Sequence, residues 1–424
     1  VNERKASLKR TLGIVDATSI GLGAIIGAGI FVVLGVAAGA SGPGVVISVI
    51  LAAIVASFTA MSFASLGSAI PKEGGAYEYI YELISPSLGF LTGWMWIFGQ
   101  LVGGAAVSLG LAEYFSLFIP IPIRFTAVAA CLLFTLLNII GVRESSFANN
   151  LMVAFKVGVL CIFVLVGIPY VQLSNFSTIL ETKFPALING AALIFFAFLG
   201  YGRITTLSEE VRNPEKVVPR SILLALLISA SLYLLVSFTA LGVATPERLS
   251  TSGSPLADVM RMTGNELATT LVSLGGIIAT ISVLLTTLLG VSRVVFAMAR
   301  NGQIPGLVNS IHPKFCTPYI SILFSGALMA ALALFGDLKQ VLSLATFAII
   351  STHVLVNYSA LKVKSGRFRV PFSPIPQLLG IVSCAALALS LIADVWLEAF
   401  VAVLIGEAFY LTYSRLRRKV VKLT

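Results

Sequence analysis

Residues Gly21–Gly35 read GLGAIIGAGIFVVLG, inside the first long apolar run of a 424-residue chain that is 58% hydrophobic and 11% charged, with a mean hydropathy of +1.00. Gly21, Gly23, Gly27, Gly29 and Gly35 sit in a stretch apolar enough to cross a bilayer. Each glycine weakens a helix by roughly 1 kcal/mol relative to alanine. Either the glycines let neighbouring helices approach closely, or the segment opens at depth for a ligand.

Repeated apolar runs of about 20 residues mark a polytopic membrane protein. The runs are continuous and do not alternate in ten-residue segments, so the spans are helices and the fold is all-α. Apolar runs read against Pro, Gly and charge give twelve spans, centred near Ala28, Val55, Val102, Leu132, Val157, Phe196, Leu232, Ile281, Leu328, Ile350, Leu387 and Val403. The segment PKEGGAYEYIYELISPSLG, from Pro71, is too polar to cross and reads as an amphipathic interfacial helix. The first apolar run follows a basic start, but it is too long for a signal-peptide core and is expected to remain as a span.

Orientation follows from the 28 Lys and Arg residues. With the N-terminus inside, Arg124, Lys183, Arg248, Arg261 and Lys339 fall outside, Lys156 lies within a span, and the other 22 fall inside. This asymmetry places both termini in the cytoplasm. The +10 net charge flanks spans without forming an aromatic-interleaved patch, so it reflects topology and not nucleic acid binding.

The sixth span, ALIFFAFLGYGRITT, again carries glycines, Gly200 and Gly202, at depth. Glycine-interrupted spans thus open two five-span blocks. Because five is odd, the second block enters the membrane inverted, the pattern of inverted repeats with discontinuous helices at a central site. The expected organisation is a first repeat at 1–168, a second at 169–361, and two appended helices with a basic tail at 362–424. An unwound stretch leaves N–H and C=O groups unpaired, at several kcal/mol each, unless protein, water or ligand satisfies them. The N–H groups of Gly27, Ala28 and Gly29 suit a carboxylate, and carbonyls near Ile25, Phe196 and Leu199 suit an ammonium, so a zwitterion fits both.

GLGAIIGAGIF with SGPG after it, PKEGGAYEYIYE before a third span containing Gly93-Trp94, and FFAFLGYG followed by TLSEEVRNPEKVVPRSI resemble the amino acid-polyamine-organocation superfamily of transporters over nearly the full length. The resemblance implies a LeuT-type fold of five plus five helices with two appended, broken helices one and six, and carriage of amino acids or related amines by alternating access. It implies a substrate site at Ile25, Ile26, Gly27, Ala28 and Gly29, with Phe196 and Leu199 offering carbonyls, Phe198 and Tyr201 as gates or walls, and Gln100 and Gly104 lining the side-chain pocket. Close helix packing is the competing reading for the glycines, and ordinary core packing for the aromatics.

In the fifth span, FANNLMVAFKVGVLCIFVLVG, Lys156 lies nine residues beyond Phe147, roughly 14 Å along a helix. Intramembrane charges are costly and usually functional. Taking an ammonium out of water disfavours its charged form, which makes the proton exchangeable. In sodium-coupled transporters of the resembled fold a cation lies between helices one and eight. Lys156 is therefore expected to bridge first-span carbonyls near the break and eighth-span hydroxyls such as Ser282, with protons as the coupling ion. A permanently charged structural tie is the alternative.

The expected activity is proton symport of neutral, broad-range amino acids into the cell across the plasma membrane, since no central carboxylate awaits a cationic amine. The alternatives are sodium-independent exchange of amino acids or amines and, behind it, sodium-coupled symport. Glu407 and His353 are read as pairing or packing groups, and Glu209 and Glu210 beside Arg203 and Arg212 as loop ion pairs or a cytoplasmic gate network. Enzyme chemistry is not expected: there are two histidines, no H-E-x-x-H and no carboxylate cluster for a metal, and the four cysteines lack ligand spacing. No filter signature suggests a channel. The expected partners are an amino acid and membrane lipid, with no cofactor. An oligomer is compatible with the sequence but not required by it.

Overall fold

The computed structural model describes residues 12–72, 74–141, 146–206, 208–315, 317–363, 366 and 368–423. These residues form an all-helical bundle with no strand among them beyond one isolated bridge, Leu12 to Val211. In chain order, α1 is Ile14–Ile25, a π-helical turn covers Gly29–Val33, and α2 is Leu34–Ser41. Then follow α3 (Val45–Ala69), α4 (Ala76–Leu83), α5 (Pro86–Ser116), α6 (Ile123–Ile140), α7 (Ser146–Gly167) and α8 (Phe184–Phe198). After a 3-10 turn at Leu199–Gly202 come α9 (Arg203–Thr206), α10 (Pro214–Val243), α11 (Pro246–Thr251) and α12 (Pro255–Met262). The chain ends with α13 (Glu266–Arg300), α14 (Tyr319–Phe335), α15 (Leu338–Leu361) and α16 (Ile375–Leu423).

Local chemistry sets the boundaries. Ser85 accepts from the Leu88 N–H at 3.3 Å ahead of Pro86, and Asn265 accepts from the Ala268 N–H at 2.9 Å, so both long helices α5 and α13 start on capped ends. Gly141, in the left-handed region at φ 82°, closes α6.

Nine helical stretches among the described residues are long and apolar enough to cross a membrane, and α14 is a shorter apolar helix. Two of the nine double back. Ser221 donates to the Ile14 carbonyl and Ser68 to the Glu215 carbonyl, so the start of α1 and the end of α3 share one side, at the start of α10. Between them Gly44 faces Thr182 and Leu187 at the other side, and the reversal runs through Gly42 at φ +54°. The second reversal is in α16. Gly380 packs against Asn357 near the end of α15, Gln340 near its start donates to Glu398 at 2.8 Å, and Tyr413 reaches the Ile304 carbonyl at 3.2 Å, just beyond α13. The run therefore goes out along α15 and returns.

Helix α4, read from sequence as amphipathic and interfacial, buries Ala76–Ile80 against the bundle. Glu78 meets Arg300 and Asn301, and Tyr77 donates to Gln303 at 2.9 Å, tying α4 to the end of α13.

Candidate functional site

The first span breaks where its glycines cluster. The Ile26 N–H closes onto the Leu22 carbonyl at 2.7 Å and Ile26 turns away at ψ 86°, which ends α1. The chain then re-enters a helix through the π turn. The first N–H groups of any helix lack intrahelical acceptors, so the peptides around Gly27–Gly29 present donors at mid-span. Wider π winding also re-aims carbonyls. One of them, Phe31 O, accepts from the Tyr114 hydroxyl at 2.7 Å.

The sixth span does something else. It tightens into the 3-10 turn Leu199–Gly202 without opening, and the Leu199 N–H closes onto the Phe196 carbonyl. Gly200 rests on backbone: a Cβ there would lie 2.3 Å from the Ala24 carbonyl carbon and from the Ile25 nitrogen. Reciprocally, a Cβ on Gly29 would lie 2.4 Å from Ala197 Cα. Both roles considered for the glycines are thus present, an interruption at Ile26–Gly27 and a close approach at Gly29 and Gly200.

Beside this crossing is a small cavity, with about 40 Å³ open to the centre of a water molecule. Ile25, Gly27, Ala28, Gly29, Gln100, Gly104, Phe196 and Leu199 all line it. Ile26, Phe198 and Tyr201 are fully buried elsewhere: Phe198 packs on Tyr233, and Tyr201 on Phe63 and His353. The Ile25 carbonyl already accepts from the Tyr233 hydroxyl at 2.7 Å, and the same hydroxyl is 3.4 Å from the Ala197 carbonyl. Tyr233 therefore joins the two interrupted segments. No sequence signal separates it from a packing tyrosine.

Two wall residues, Arg203 and Thr287, lie outside the sequence reading of the site. Arg203 donates to Thr286 and, at 2.9 Å, to Thr287 on α13. Glu210, read from sequence as part of loop ion pairs or a gate network, pairs with Arg293 at 3.3 Å. The side chain of Glu209 lies outside the described residues.

Lys156 is completely buried; its Nζ donates to the Gly23 carbonyl at 3.0 Å and to Ser282 Oγ at 2.8 Å. It thereby links α7, the last turns of α1 before the break, and α13. A buried ammonium held by a carbonyl and a hydroxyl sits where loss of one proton removes both a charge and a donor.

Residues 12–409 match the amino acid permease family. The chain belongs to that family. As a permease it is similar to the branched-chain amino acid permease of Bacillus subtilis (strain 168), at 32% identity over 97% of this chain and 95% of that one. It is also similar to the methylthioribose transporter of the same organism, at 33% identity with the same coverage. The cationic amino acid transporter 4 of Mus musculus is 30% identical over 87% of this chain and 62% of its own length. This permease is a multi-pass membrane transporter of a small-molecule substrate and not an enzyme.

Proposed function

We propose that the permease is a secondary active carrier that brings neutral amino acids into the cell across the plasma membrane by alternating access, with protons as the coupling ion. Counting both doubled-back stretches and α14 supports twelve spans, with both termini cytoplasmic. The LeuT-type arrangement follows, with repeats at 1–168 and 169–361 and an appended pair at 362–424. The zwitterion's carboxylate meets the N–H groups at Gly27–Gly29. Its ammonium uses the second lone pair of the Ile25 carbonyl, with carbonyls of the Phe196–Leu199 turn beside it. Its side chain lies toward Gln100 and Gly104. The cavity is narrow, so binding an amino acid pushes back the side chains of Phe196, Val283 or Ile349.

The observation that carries the coupling step is the Lys156 bridge from Gly23 to Ser282. Protonated, Lys156 holds α1 against α13 just before the break, favouring the conformation described above. When the proton leaves, that tie weakens and the segments can part, so transport and proton movement share one equilibrium. The test is uptake into proteoliposomes. Accumulation driven by an inward proton gradient, with sodium absent, is the expected result. Uptake that needs sodium, or that occurs only against an internal amino acid, points to sodium symport or exchange and removes the proton assignment.

A further inference from the structure

We propose that His353 is a positioning residue for the cavity: when an amino acid is bound, its Nε2 accepts a hydrogen bond from the Tyr201 hydroxyl and ties the sixth-span turn to α15. This rests on the cavity being the substrate site. His353 is buried among rings, with centroids 5.3 Å from Phe63, 5.9 Å from Phe195 and 6.1 Å from Tyr201, whose plane stands at 77° to the imidazole. Its Nδ1 is 2.7 Å from the Ile349 carbonyl, which can only accept. Nδ1 therefore carries the proton of the neutral ring, and Nε2 is left as an acceptor. Among the described residues Nε2 has no partner, and neither has the equally buried Tyr201 hydroxyl.

The two atoms are complementary. One lacks a donor, the other holds a proton and lacks an acceptor, and a buried polar group without its partner is costly. Phe63 and Phe195 supply neither. Thr59, also beside Tyr201, is engaged: it accepts from Asn357 Nδ2 at 3.2 Å and donates to the Val55 carbonyl at 3.3 Å. Each unpaired atom stands one layer behind a cavity wall. Ile349 lines the cavity and its carbonyl holds the imidazole, while Leu199 and Gly200 line it from the turn that carries Tyr201. Because the cavity is narrower than an amino acid, binding moves its walls, and a shift at Ile349 or Leu199 carries the attached ring with it. A bond gained only in the occupied state is a difference in affinity between two conformations, which is what a ligand needs in order to shift their equilibrium.

The chain has only two histidines, His312 and His353, so labelling histidine with heavy nitrogen gives a readable NMR spectrum of the full-length permease in lipid nanodiscs, and H312Q identifies the His353 signals. Without ligand, Nε2 should read as a bare, unprotonated nitrogen. Saturation with whichever neutral amino acid most raises the melting temperature should move that signal upfield, the mark of a nitrogen that has gained a donor. In Y201F the signal should stay in place and the same ligand should bind about fivefold more weakly, the scale of one net hydrogen bond. H353L should lose a similar amount, H353Q, whose amide oxygen accepts, should recover part of it, and the double variant of Y201F with H353L should bind no more weakly than either single one. Without ligand, Y201F should melt no lower than wild type, since the hydroxyl has no partner there. A wild-type Nε2 signal that does not move when the ligand binds overturns the inference, leaves the proposed function standing, and needs no variant at the site to fold. A shift that persists in Y201F, or losses that add in the double variant, also overturn it. A wild type that binds no amino acid overturns the proposed function and this inference together.

Discussion

Gly200 lies against the peptide of Ala24 so closely that a Cβ on it would sit 2.3 Å from the Ala24 carbonyl carbon. The obstacle is backbone, which cannot swing aside as a side-chain tip can. Gly200→Ala must therefore push the first and sixth spans apart at their crossing. Overpacking usually costs about 1–3 kcal/mol, and a backbone clash belongs at the upper end. Gly29→Ala, against Ala197 Cα, should act alike. Gly158→Ala in α7 is the contrast, since nothing lies within 4 Å of its added methyl. A thermal-denaturation series should show the first two variants falling by several degrees and Gly158→Ala holding or rising.

The pattern of spans was legible because hydrocarbon imposes a length and a composition on every crossing helix. The first break was legible too, since glycines in a bilayer-crossing segment need a reason. What periodicity could not supply was which reason applied to which glycine. Gly27 follows the bend at Ile26, Gly200 serves a close approach, and both look the same in sequence. The sixth span shows the limit: its glycines suggested an opening, whereas a tighter 3-10 winding keeps the Phe196 carbonyl bonded within the chain.

Residues that act across the fold were harder to read. Arg203 stands close to Glu209 and Glu210 in sequence, and nothing in that neighbourhood indicates that its guanidinium also donates to Thr286 and Thr287 on α13. Tyr233 depends on the Ile25 carbonyl more than two hundred residues away, and Tyr77 and Glu78 of α4 on partners at the end of α13. Depth, by contrast, is a one-dimensional property, and that is why Lys156 stood out from sequence.

Tyr233→Phe removes the hydroxyl that joins the Ile25 and Ala197 carbonyls. Leaving a buried acceptor without its donor typically costs about 1–3 kcal/mol. The expected result is a lower melting temperature in the absence of substrate. Because the freed Ile25 carbonyl can then accept from an added amino acid's ammonium, saturating ligand should recover part of the loss. A melting temperature equal to wild type without ligand would show that the hydroxyl does not hold the crossing together.

Glu78 gives a pH dependence outside the spans. Burial raises its carboxyl above the usual value of 4.5, with Glu82 pushing the same way and Arg300 and Asn301 opposing. Above 4.5 and below the raised folded value, the native state binds more protons than the unfolded chain, so stability falls as pH rises through that window. The contribution is full below 4.5 and lost above the folded value. Glu78→Gln removes this titration. Melting temperatures measured from pH 4 to 8 should show the Glu78-dependent decline in wild type and its absence in the variant; parallel curves would remove Glu78 as the cause.

The most direct separation of charge from hydrogen bonding is at Lys156. Lys156→Gln keeps an N–H donor for the Gly23 carbonyl or Ser282 but cannot gain or lose a proton. Lys156→Met fills similar volume and offers no donor, so the Gly23 carbonyl loses the bond it accepts and Ser282 loses an N–H partner. If the lysine couples protons to transport, both variants should lose uptake driven by a proton gradient. Their substrate binding should differ: Gln retains the tie between α1 and α13 in part, whereas Met loosens the segment ahead of Gly27 and should weaken binding by about tenfold or more, equivalent to roughly 1.4 kcal/mol. Ser282→Ala, which removes one acceptor and leaves the charge, should weaken gradient-driven uptake without abolishing it. Proteoliposome uptake with and without a pH step, paired with equilibrium binding, reads each effect separately. Gradient-driven accumulation that survives in Lys156→Gln would mean that the buried ammonium is a fixed tie and that protons travel elsewhere.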